Sequence, residues 1–286
     1  MPFKQGRSRL GTFRPEGARC LESMMPAKGK QYFFISSLEK GIRILELLAE
    51  KEAISISDAA RHMQTNRAGV HRFLATLREL GYVEKDEEDR YHLTFRVVEL
   101  GMKVVNRHEI LRVVRPYLLE LSTAFNETVN LGRFNGEDIL HLDKIDSREI
   151  LRMDSEIGSR APAYCTGLGK SVLAFLPEEE LNEYLKNTRL RAHGPNTITS
   201  RRQLRKELER IRLRGYAVDN EELSSGLRCI AAPVFGHTGR ADYAVSVSGP
   251  VTRMTMERIE TIHPVVRQTC RRLSERLGFV HAAVGA

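Results

Sequence analysis

Two groups of side chains in this 286-residue sequence have types and spacings that could do chemistry. The first lies between residues 66 and 81, where long hydrogen-bond donors recur at helical intervals: Arg67, His71, Arg72 and Thr76. On one face of a helix, such donors can reach the phosphates or base edges of nucleic acid. The second group lies in the last third of the chain and combines an acid, a thiol and two hydroxyls: Asp219, Cys229, Ser246 and Ser248.

The segment 66–81 has the pattern of a helix with one buried face. Its apolar residues recur three or four positions apart: Val70, Phe73, Leu74, Leu77 and Leu80. Asn66 is a suitable N-cap, and Gly81 suits the position that ends a helix. Gly69 leaves room for close approach of a backbone. We interpret the segment as a DNA recognition helix, although taken alone it also fits an ordinary amphipathic surface helix.

The neighbouring segments favour DNA recognition. Ser55–Met63 is predicted as a short helix, and only two residues separate it from Asn66, as in a helix-turn-helix. Leu38, Ile42, Leu45 and Leu48 predict a third helix that closes the core. Tyr82–Lys85 and Arg90–Leu93 predict two strands joined by an acidic turn, which form a β-hairpin wing.

Composition limits the class of protein. The net charge is +8, but residues 31–100 carry ten basic and twelve acidic residues, so charge is weak evidence for nucleic-acid binding. No apolar run is long enough to span a membrane, and no signal peptide is evident. The four cysteines have no metal-site spacing and suggest free thiols in a reducing cytoplasm. We therefore expect a cytoplasmic protein with no metal and no cofactor.

The chain divides into four predicted parts. Residues 1–30 form a basic tail without periodicity, expected to be disordered, which either adds phosphate attraction or has no role; translation could also start at Met24 or Met25. Residues 31–93 form the winged helix-turn-helix domain. Residues 94–108 form a linker helix that is apolar nearly all round, which suits packing on its own domain and on a second subunit. Residues 109–286 form an α+β domain of GAF- or PAS-like type.

The α+β domain is predicted from alternating strands and helices. Helices are predicted over Ile110–Phe125, Leu168–Leu176, Ser200–Arg214 and Thr255–Leu277. Strands are predicted over Thr128–Phe134, Ile139–Ile145, Glu149–Met153, Tyr216–Glu221, Arg228–Val234 and Tyr243–Ser248. The dipeptide Asn135-Gly136 predicts a hairpin turn between the first two strands.

The second group of polar residues predicts a ligand pocket in this domain. Ser246 and Ser248 share one strand face because side chains alternate with a period of two. Gly167 and Leu168 open a helix whose free amides and dipole favour a small anion. With Asp219 and Cys229, they could bind a small hydroxylated or keto acid. From the sequence alone, a serine in such a strand is more often an ordinary sheet residue than a ligand contact.

Two other chemistries were considered. Gly167-Leu168-Gly169-Lys170-Ser171 resembles the end of a P-loop, but Tyr164 stands where that motif needs glycine, so a nucleotide site is rejected. Lys170 either assists anion binding or carries surface charge. Cys229 or Cys165 with His141 and Asp219 could form a nucleophile set, but no local signature supports a catalytic site.

The N-terminal motifs resemble those of the IclR-type bacterial transcription regulators. The resemblance rests on the segments at 37–45, 70–74 and 80–83: SLEKGIRIL, VHRFL and LGYV. The sequence departs from the family at Ala68-Gly69, where a Ser-Thr pair is usual. The phosphate contacts of those hydroxyls are missing, so either Arg67 and Arg72 do more of the anchoring on DNA or this position serves close approach of the backbone.

The C-terminal half resembles the same family at 160–170, 215–222, 226–234 and 246–250, in the family's order. The resemblance implies that Asp219, Cys229, Ser246 and Ser248 line an effector pocket, with Ile150 and Met153 as its wall. It also implies a dimer, paired into a tetramer, that binds double-stranded operator DNA and usually represses. The members responding to 2-keto-3-deoxygluconate and other sugar acids are the most similar, with an aromatic-catabolism acid as the alternative effector.

Overall fold

The computed structural model describes residues 34–105 and 108–280, and the chain divides into two compact units between Leu100 and Gly101. The predicted tail 1–30, including Cys20, lies outside the described residues. Residues 281–286 at the end of the predicted α+β domain also lie outside them.

The first unit is a winged helix-turn-helix, as predicted. Its elements are α1 (Ser36–Glu50), α2 (Ile56–His62), α3 (Arg67–Glu79), β1 (Val83–Lys85) and β2 (Tyr91–Leu93). Strands β1 and β2 pair antiparallel as the wing, and Asp86 accepts the backbone amides of Glu88 and Arg90 in the turn between them. Helix α4 (Phe95–Val105) follows β2 and crosses the boundary between the units.

Side-chain caps fix the start of the two helices of the motif. Ser55 accepts the amide of Asp58 at α2, and Asn66 accepts the amide of Gly69 at 2.7 Å at α3. These bonds satisfy amides that the helix itself leaves without a partner. The short turn between the helices is possible because Gln64 adopts a left-handed conformation, with φ of 49°.

The core of the first unit corrects one part of the sequence interpretation. Helix α1 forms as predicted, but Leu38 and Ile42 are exposed. Leu48 is buried as predicted and Leu45 is partly buried, and the helix also buries Ile44 and Leu47 against α3 and the wing. The apolar repeat on which the prediction was based includes Leu38 and Ile42, and these two residues lie outside the core.

The second unit is an α+β domain, as predicted. Its helices are α5 (Glu109–Val113), α6 (Arg115–Phe125), α7 (Gly167–Leu173), α8 (Glu178–Asn187), α9 (Arg201–Arg214) and α10 (Met256–Arg276). Its strands are β3 (Thr128–Phe134), β4 (Asp138–Ile145), β5 (Arg160–Pro162), β6 (Ala217–Asn220), β7 (Leu227–Val234) and β8 (Tyr243–Pro250).

The six strands form one antiparallel sheet in the order β5-β4-β3-β8-β7-β6. Helices α5, α6 and α10 cover one face with a core of Val, Leu and Ile. Helices α7, α8 and α9 cover the other face. The second face is lined by small and polar strand residues, and this leaves space between the sheet and α7.

Several segments differ from their predictions. The helix predicted over Ile110–Phe125 is divided into α5 and α6, because Pro116 has no amide proton to continue the ladder. Glu149–Met153 is not a strand but part of a loop. Helix α8 and strand β5 were not predicted. The linker helix predicted to His108 is described as α4 to Val105, and residues 106–107 lie outside the described residues.

Candidate functional site

The outer face of α3 carries the residues predicted to contact DNA. Arg67, His71, Arg72 and Thr76 are all exposed, whereas Val70, Leu74 and Leu77 are buried. The two stripes are a consequence of helical periodicity and explain how one helix can both close the core and present donors. Leu80, predicted to face inward, is exposed beyond the end of α3.

Local hydrogen bonds change the role that three of these residues can have. The Thr76 hydroxyl donates to the carbonyl of Arg72 at 2.9 Å, so its proton is used within the helix. The side-chain oxygen of Asn66 is the cap of α3, and a Cβ at Gly69 would lie 3.1 Å from it. Asn66 and Gly69 therefore shape the start of the helix, and Arg67, His71 and Arg72 keep their donors available.

In the second unit, a small cavity lies between the sheet and α7. Its volume is about 20 Å³, so the cavity is small in this conformation. Polar and apolar residues from β4, β6, β7, β8, α7 and the adjoining loops line it: Ile139, His141, Met153, Thr166, Gly167, Leu168, Asp219, Leu223, Cys229, Ser246 and Ser248. Seven of the eight residues predicted for the effector pocket are in this set.

Strand register brings the predicted polar residues together. Thr128, Ser248, Cys229 and Asp219 are direct partners across β3, β8, β7 and β6, so they form one continuous row on the sheet. The next row on the same face contains Asn130, Ser246, Ala231 and Ala217. The two serine hydroxyls are 3.3 Å apart. The alanines keep this part of the face open, because a methyl group does not fill the space above the sheet.

Glycines allow α7 to approach the sheet closely. A Cβ at Gly169 would lie 2.1 Å from the carbonyl oxygen of Ala163, and one at Gly167 would touch Ala231. Thr166 caps the helix by accepting the amide of Gly169 at 3.1 Å. The glycine-rich segment that resembled part of a P-loop is thus explained by packing.

A loop over residues 146–159 holds Met153 at the cavity. Thr128 donates to the carbonyl of Met153 at 3.2 Å, and Ser155 donates to Asn130 at 2.6 Å. Ser147 donates to the carbonyl of Asn126 at 2.7 Å. Ile150, which was predicted to share the wall with Met153, is fully exposed on this loop and does not line the cavity.

Asp219 is buried at the cavity and is held by backbone amides. Its Oδ1 accepts the amide of Glu222 at 2.8 Å and that of Leu223 at 3.4 Å. Burial raises the pKa of the Asp219 carboxyl to about 7, despite these hydrogen bonds. The group therefore changes charge near neutral pH and can accept or donate a hydrogen bond to a ligand.

Lys170 has neither of the two roles that the sequence suggests, an anion contact or a surface charge. Its side chain is only 1% exposed, so it is not a surface charge, and it does not line the cavity. Its Nζ donates to the carbonyl of Val218 at 2.7 Å and pairs with Glu222. Burial raises the pKa of Glu222, and the charge of Lys170 opposes that rise. The ion pair and the bond to Val218 join α7 to β6, the strand that carries Asp219.

His141 is a cavity residue that the pocket prediction omitted. It follows Ile139 by two positions on β4, so both face the α7 side of the sheet. Burial and the nearby charge of Lys144 lower the pKa of His141. Its Nδ1 is buried without a hydrogen-bond partner among the described residues. After the Asn135-Gly136 turn, side chains alternate between the two faces of the sheet. This alternation could have placed His141 on the same face as Ile139.

The thiols show no sign of catalytic activation. Cys165, Cys229 and Cys270 are free and buried, and burial raises the pKa of each thiol. A nucleophilic cysteine needs the opposite shift. Within residues 34–105 and 108–280, no group of three or more His, Cys, Asp or Glu is arranged to hold a metal. No helix in those ranges is long and apolar enough to cross a bilayer.

Comparison with known proteins agrees with both units. Residues 37–87 match the IclR helix-turn-helix domain, and residues 102–275 match the C-terminal domain of bacterial transcriptional regulator IclR. The HTH-type transcriptional regulator KdgR of Escherichia coli (strain K12) is 35% identical over 251 residues, covering 87% of this chain and 95% of the relative. BhcR of Paracoccus denitrificans (strain Pd 1222) is 34% identical over 241 residues, covering 84% and 86%.

A solved relative gives the same result for the fold. The crystal structure of Thermotoga maritima IclR has a TM-score of 0.73 and 34% identity, and the match covers 86% of this chain and all of that one. These proteins are transcription regulators and not enzymes, so the cysteine-dependent enzyme is set aside. The chain therefore belongs to the IclR family of bacterial transcription regulators, with a helix-turn-helix DNA-binding domain followed by an effector-binding domain.

Proposed function

We propose that this protein represses transcription by binding a pseudo-palindromic operator, and that a small hydroxylated or keto acid controls its binding. The observation that carries the effector proposal is the row Ser248–Cys229–Asp219, with Ser246 beside it, on one wall of a cavity. Buried hydroxyls and an acid in one place are suited to a ligand with several hydroxyl or oxo groups. The operator is chromosomal, which gives the protein a cytoplasmic place of action.

The exposed face of α3 supports the DNA half of the proposal. Arg67 and Arg72 are proposed to anchor the helix on phosphates or guanine, and His71 to contact a base edge or the backbone. Asn66 and Gly69 position the start of the helix. Thr76 is proposed to contribute less to DNA binding, because its hydroxyl donates to the carbonyl of Arg72.

Assembly is proposed as a dimer, with dimers pairing into tetramers. One recognition helix contacts too few base pairs to define a unique site, so two copies on adjacent half-sites are needed. Helix α4 is the proposed contact, because Phe95, Val98, Leu100 and Met102 are apolar and exposed in a single chain.

We propose 2-keto-3-deoxygluconate as the first effector to test. Its ketone, hydroxyls and single carboxylate match the polar wall formed by Asp219, Cys229, Ser246 and Ser248. The pocket also has an apolar side made of Ile139, Leu168 and Leu223, and this side favours an aromatic acid as the alternative. Met153 is assigned to the wall between them; Ile150 joins only if the loop 146–159 moves on binding.

The test uses operator DNA selected from a genomic library with the purified protein. A gel shift is titrated with 2-keto-3-deoxygluconate and with 4-hydroxybenzoate as the aromatic probe. Release of DNA by the sugar acid supports the proposal, and release by the aromatic acid alone favours the alternative. A protein that binds no DNA fragment above its non-specific level contradicts the regulatory function itself.

The variant Ser246→Ala/Ser248→Ala tests whether the cavity is the sensor. Loss of two hydrogen bonds, at about 0.5–1.5 kcal/mol each, is comparable with a typical allosteric coupling of about 1–3 kcal/mol. The variant should bind the operator normally and respond weakly to the acid, whereas Cys229→Ser retains a small polar group and should respond more. A double variant that releases DNA at the wild-type acid concentration places the sensor elsewhere.

A further inference from the structure

Asn130 is a buried polar residue beside the cavity whose side chain has unused hydrogen-bonding capacity. It is 0% exposed and lies on β3 directly opposite Ser246, a cavity residue on β8. Its Oδ1 accepts the hydroxyl of Ser155 at 2.6 Å. Its Nδ2 carries two protons, and its one contact among the described residues is the sulfur of Met153 at 4.0 Å. Because a thioether is a weak acceptor, the amide remains available as a donor to a ligand oxygen.

Asn130 and Ser246 are close enough to share one small ligand. Side chains directly opposite each other on paired strands have Cβ atoms about 5 Å apart, and both of these point to the α7 face of the sheet. A hydroxy or keto acid carries oxygens on neighbouring carbon atoms, so it can bond to both side chains without spanning the sheet. With such a ligand, the polar wall of the cavity extends by one strand, from β8 to β3.

The loop 146–159 covers Asn130 in this conformation. Met153, which lines the cavity, lies against the amide nitrogen of Asn130, and Ser155 bonds to its oxygen. Asn130 itself is not a lining residue. Side chains of the loop therefore occupy the place beside Ser246 that a ligand would reach if the loop moved away.

We propose that Asn130 is an effector contact, and that the Ser155 hydroxyl takes the place of the effector in the closed conformation described here. When the loop moves, the amide of Asn130 donates to an effector oxygen, and its Oδ1 accepts an effector hydroxyl in place of Ser155. Loop and effector compete for one side chain, so the effector selects the conformation in which the loop has left it. This inference rests on the proposed function, because it assumes that the acid enters this cavity.

The two ends of the Ser155–Asn130 bond give opposite expectations for binding of 2-keto-3-deoxygluconate, measured by calorimetry. Ser155→Ala removes only the competitor, so binding should become tighter by about two- to tenfold, the equivalent of one hydrogen bond. Asn130→Ala removes the contact as well, so binding should weaken by about twofold or more. Ser159→Ala is the matched control, because this loop serine donates to the carbonyl of Glu156 within the loop. It should keep the wild-type dissociation constant.

A purely structural role of the bond predicts the same sign for both variants. If Asn130 only holds the loop, Asn130→Ala should tighten binding as Ser155→Ala does, and that result overturns the inference. An unchanged or weaker affinity of Ser155→Ala also overturns it.

Urea unfolding shows whether Asn130→Ala is folded under the conditions of the titration. If it is not, Asn130→Leu takes its place, since leucine fills a similar volume without a donor or an acceptor. A wild-type protein that binds the acid with the wrong pattern among the variants contradicts only the role of Asn130. A wild-type protein that binds neither 2-keto-3-deoxygluconate nor 4-hydroxybenzoate contradicts the proposed effector site itself.

Discussion

The ammonium of Lys170 on α7 pairs with the carboxylate of Glu222 after β6, and both side chains are almost completely buried. Lys170 also donates to the carbonyl of Val218 within β6. The pair therefore attaches α7 to the edge strand β6, which carries Asp219. Lys170 therefore stabilises the packing of α7 on β6 and is not among the residues that line the cavity.

Removal of one partner of this pair should destabilise the effector-binding domain. We expect Lys170→Met to lower the free energy of unfolding by about 3–5 kcal/mol, because Glu222 is left buried without a counter-charge. Lys170→Met/Glu222→Leu should regain much of this loss. Urea unfolding of both variants and of Glu222→Leu gives the coupling energy. A coupling energy near zero contradicts a functional ion pair in the folded protein.

The exposed arginines of α3 should determine affinity for DNA. Arg72→Ala should weaken operator binding by about 1–3 kcal/mol if the side chain bonds to guanine, with a loss of discrimination at that base pair. If it contacts phosphate, binding should fall equally on all sequences with a smaller salt dependence. Arg67→Ala should have the smaller effect of the two.

The matched control for this experiment is Arg43→Ala, which removes an exposed arginine from α1, where it pairs with Glu39. It should leave the gel-shift midpoint unchanged. Unchanged affinity of Arg67→Ala/Arg72→Ala for the selected operator would show that α3 is not the recognition helix.

Asp219 should make stability depend on pH in the direction opposite to that of a typical surface acid. Its folded pKa of about 7 lies above the ordinary 3.8, so between these values the folded state keeps a proton that the unfolded state has released. The free energy of unfolding therefore falls as pH rises through this window, by about 4 kcal/mol in total at 1.36 kcal/mol per unit. Asp219→Asn removes this dependence and keeps the acceptor for the amide of Glu222.

Urea unfolding at a series of pH values checks the effect. The variant should be more stable than wild type, by an amount that grows up to about pH 7 and is constant above it. A difference independent of pH would mean that Asp219 is ionised throughout. With ligands above pH 7, where Asp219 is ionised, the variant should accept the diacid form of 2-keto-3-deoxygluconate, oxidised at C6, better than wild type does, because the carboxylate that repels a second carboxylate is gone.

Helix α4 should mediate self-association. Phe95 is 83% exposed and Val98, Leu100 and Met102 are also exposed, so their burial in a partner surface is favourable. Light scattering at micromolar protein should give at least a dimer, and Val98→Asp should shift it towards monomer. Lys103→Glu on the same helix is the control for added negative charge. A wild-type protein that is monomeric with and without DNA contradicts this assembly.

Sequence periodicity predicted most of the fold because it reports local burial. The capped helix α3, the wing and the alternation of β8 follow from spacing and turn chemistry alone. The strand predicted over Glu149–Met153 failed because long-range contacts decide the structure there. Glu149–Met153 has apolar residues suited to a strand, but side chains of Thr128 and Asn130 on β3 hold this region as a loop.

The candidate site was predictable in part for the same reason. The period of two identified the shared face of Ser246 and Ser248, but the row linking Ser248 to Cys229 and Asp219 depends on strand register. His141 was considered only as a catalytic base, because a single histidine in a strand gives no signal of an unpaired nitrogen. Burial of Lys170 could not be inferred, since a lysine is normally exposed.

The cavity of about 20 Å³ has a kinetic consequence. We expect a six-carbon acid to need a wider cavity than this one, so binding should use a wider conformation. The apparent affinity is then the intrinsic affinity multiplied by the fraction of protein in the wider conformation. Association should also be slower than the diffusion limit. The bonds from Thr128 to Met153 and from Ser155 to Asn130 hold the loop 146–159 against the cavity. Weakening them should raise the fraction of protein in the wider conformation. The regulator should then respond at a lower effector concentration.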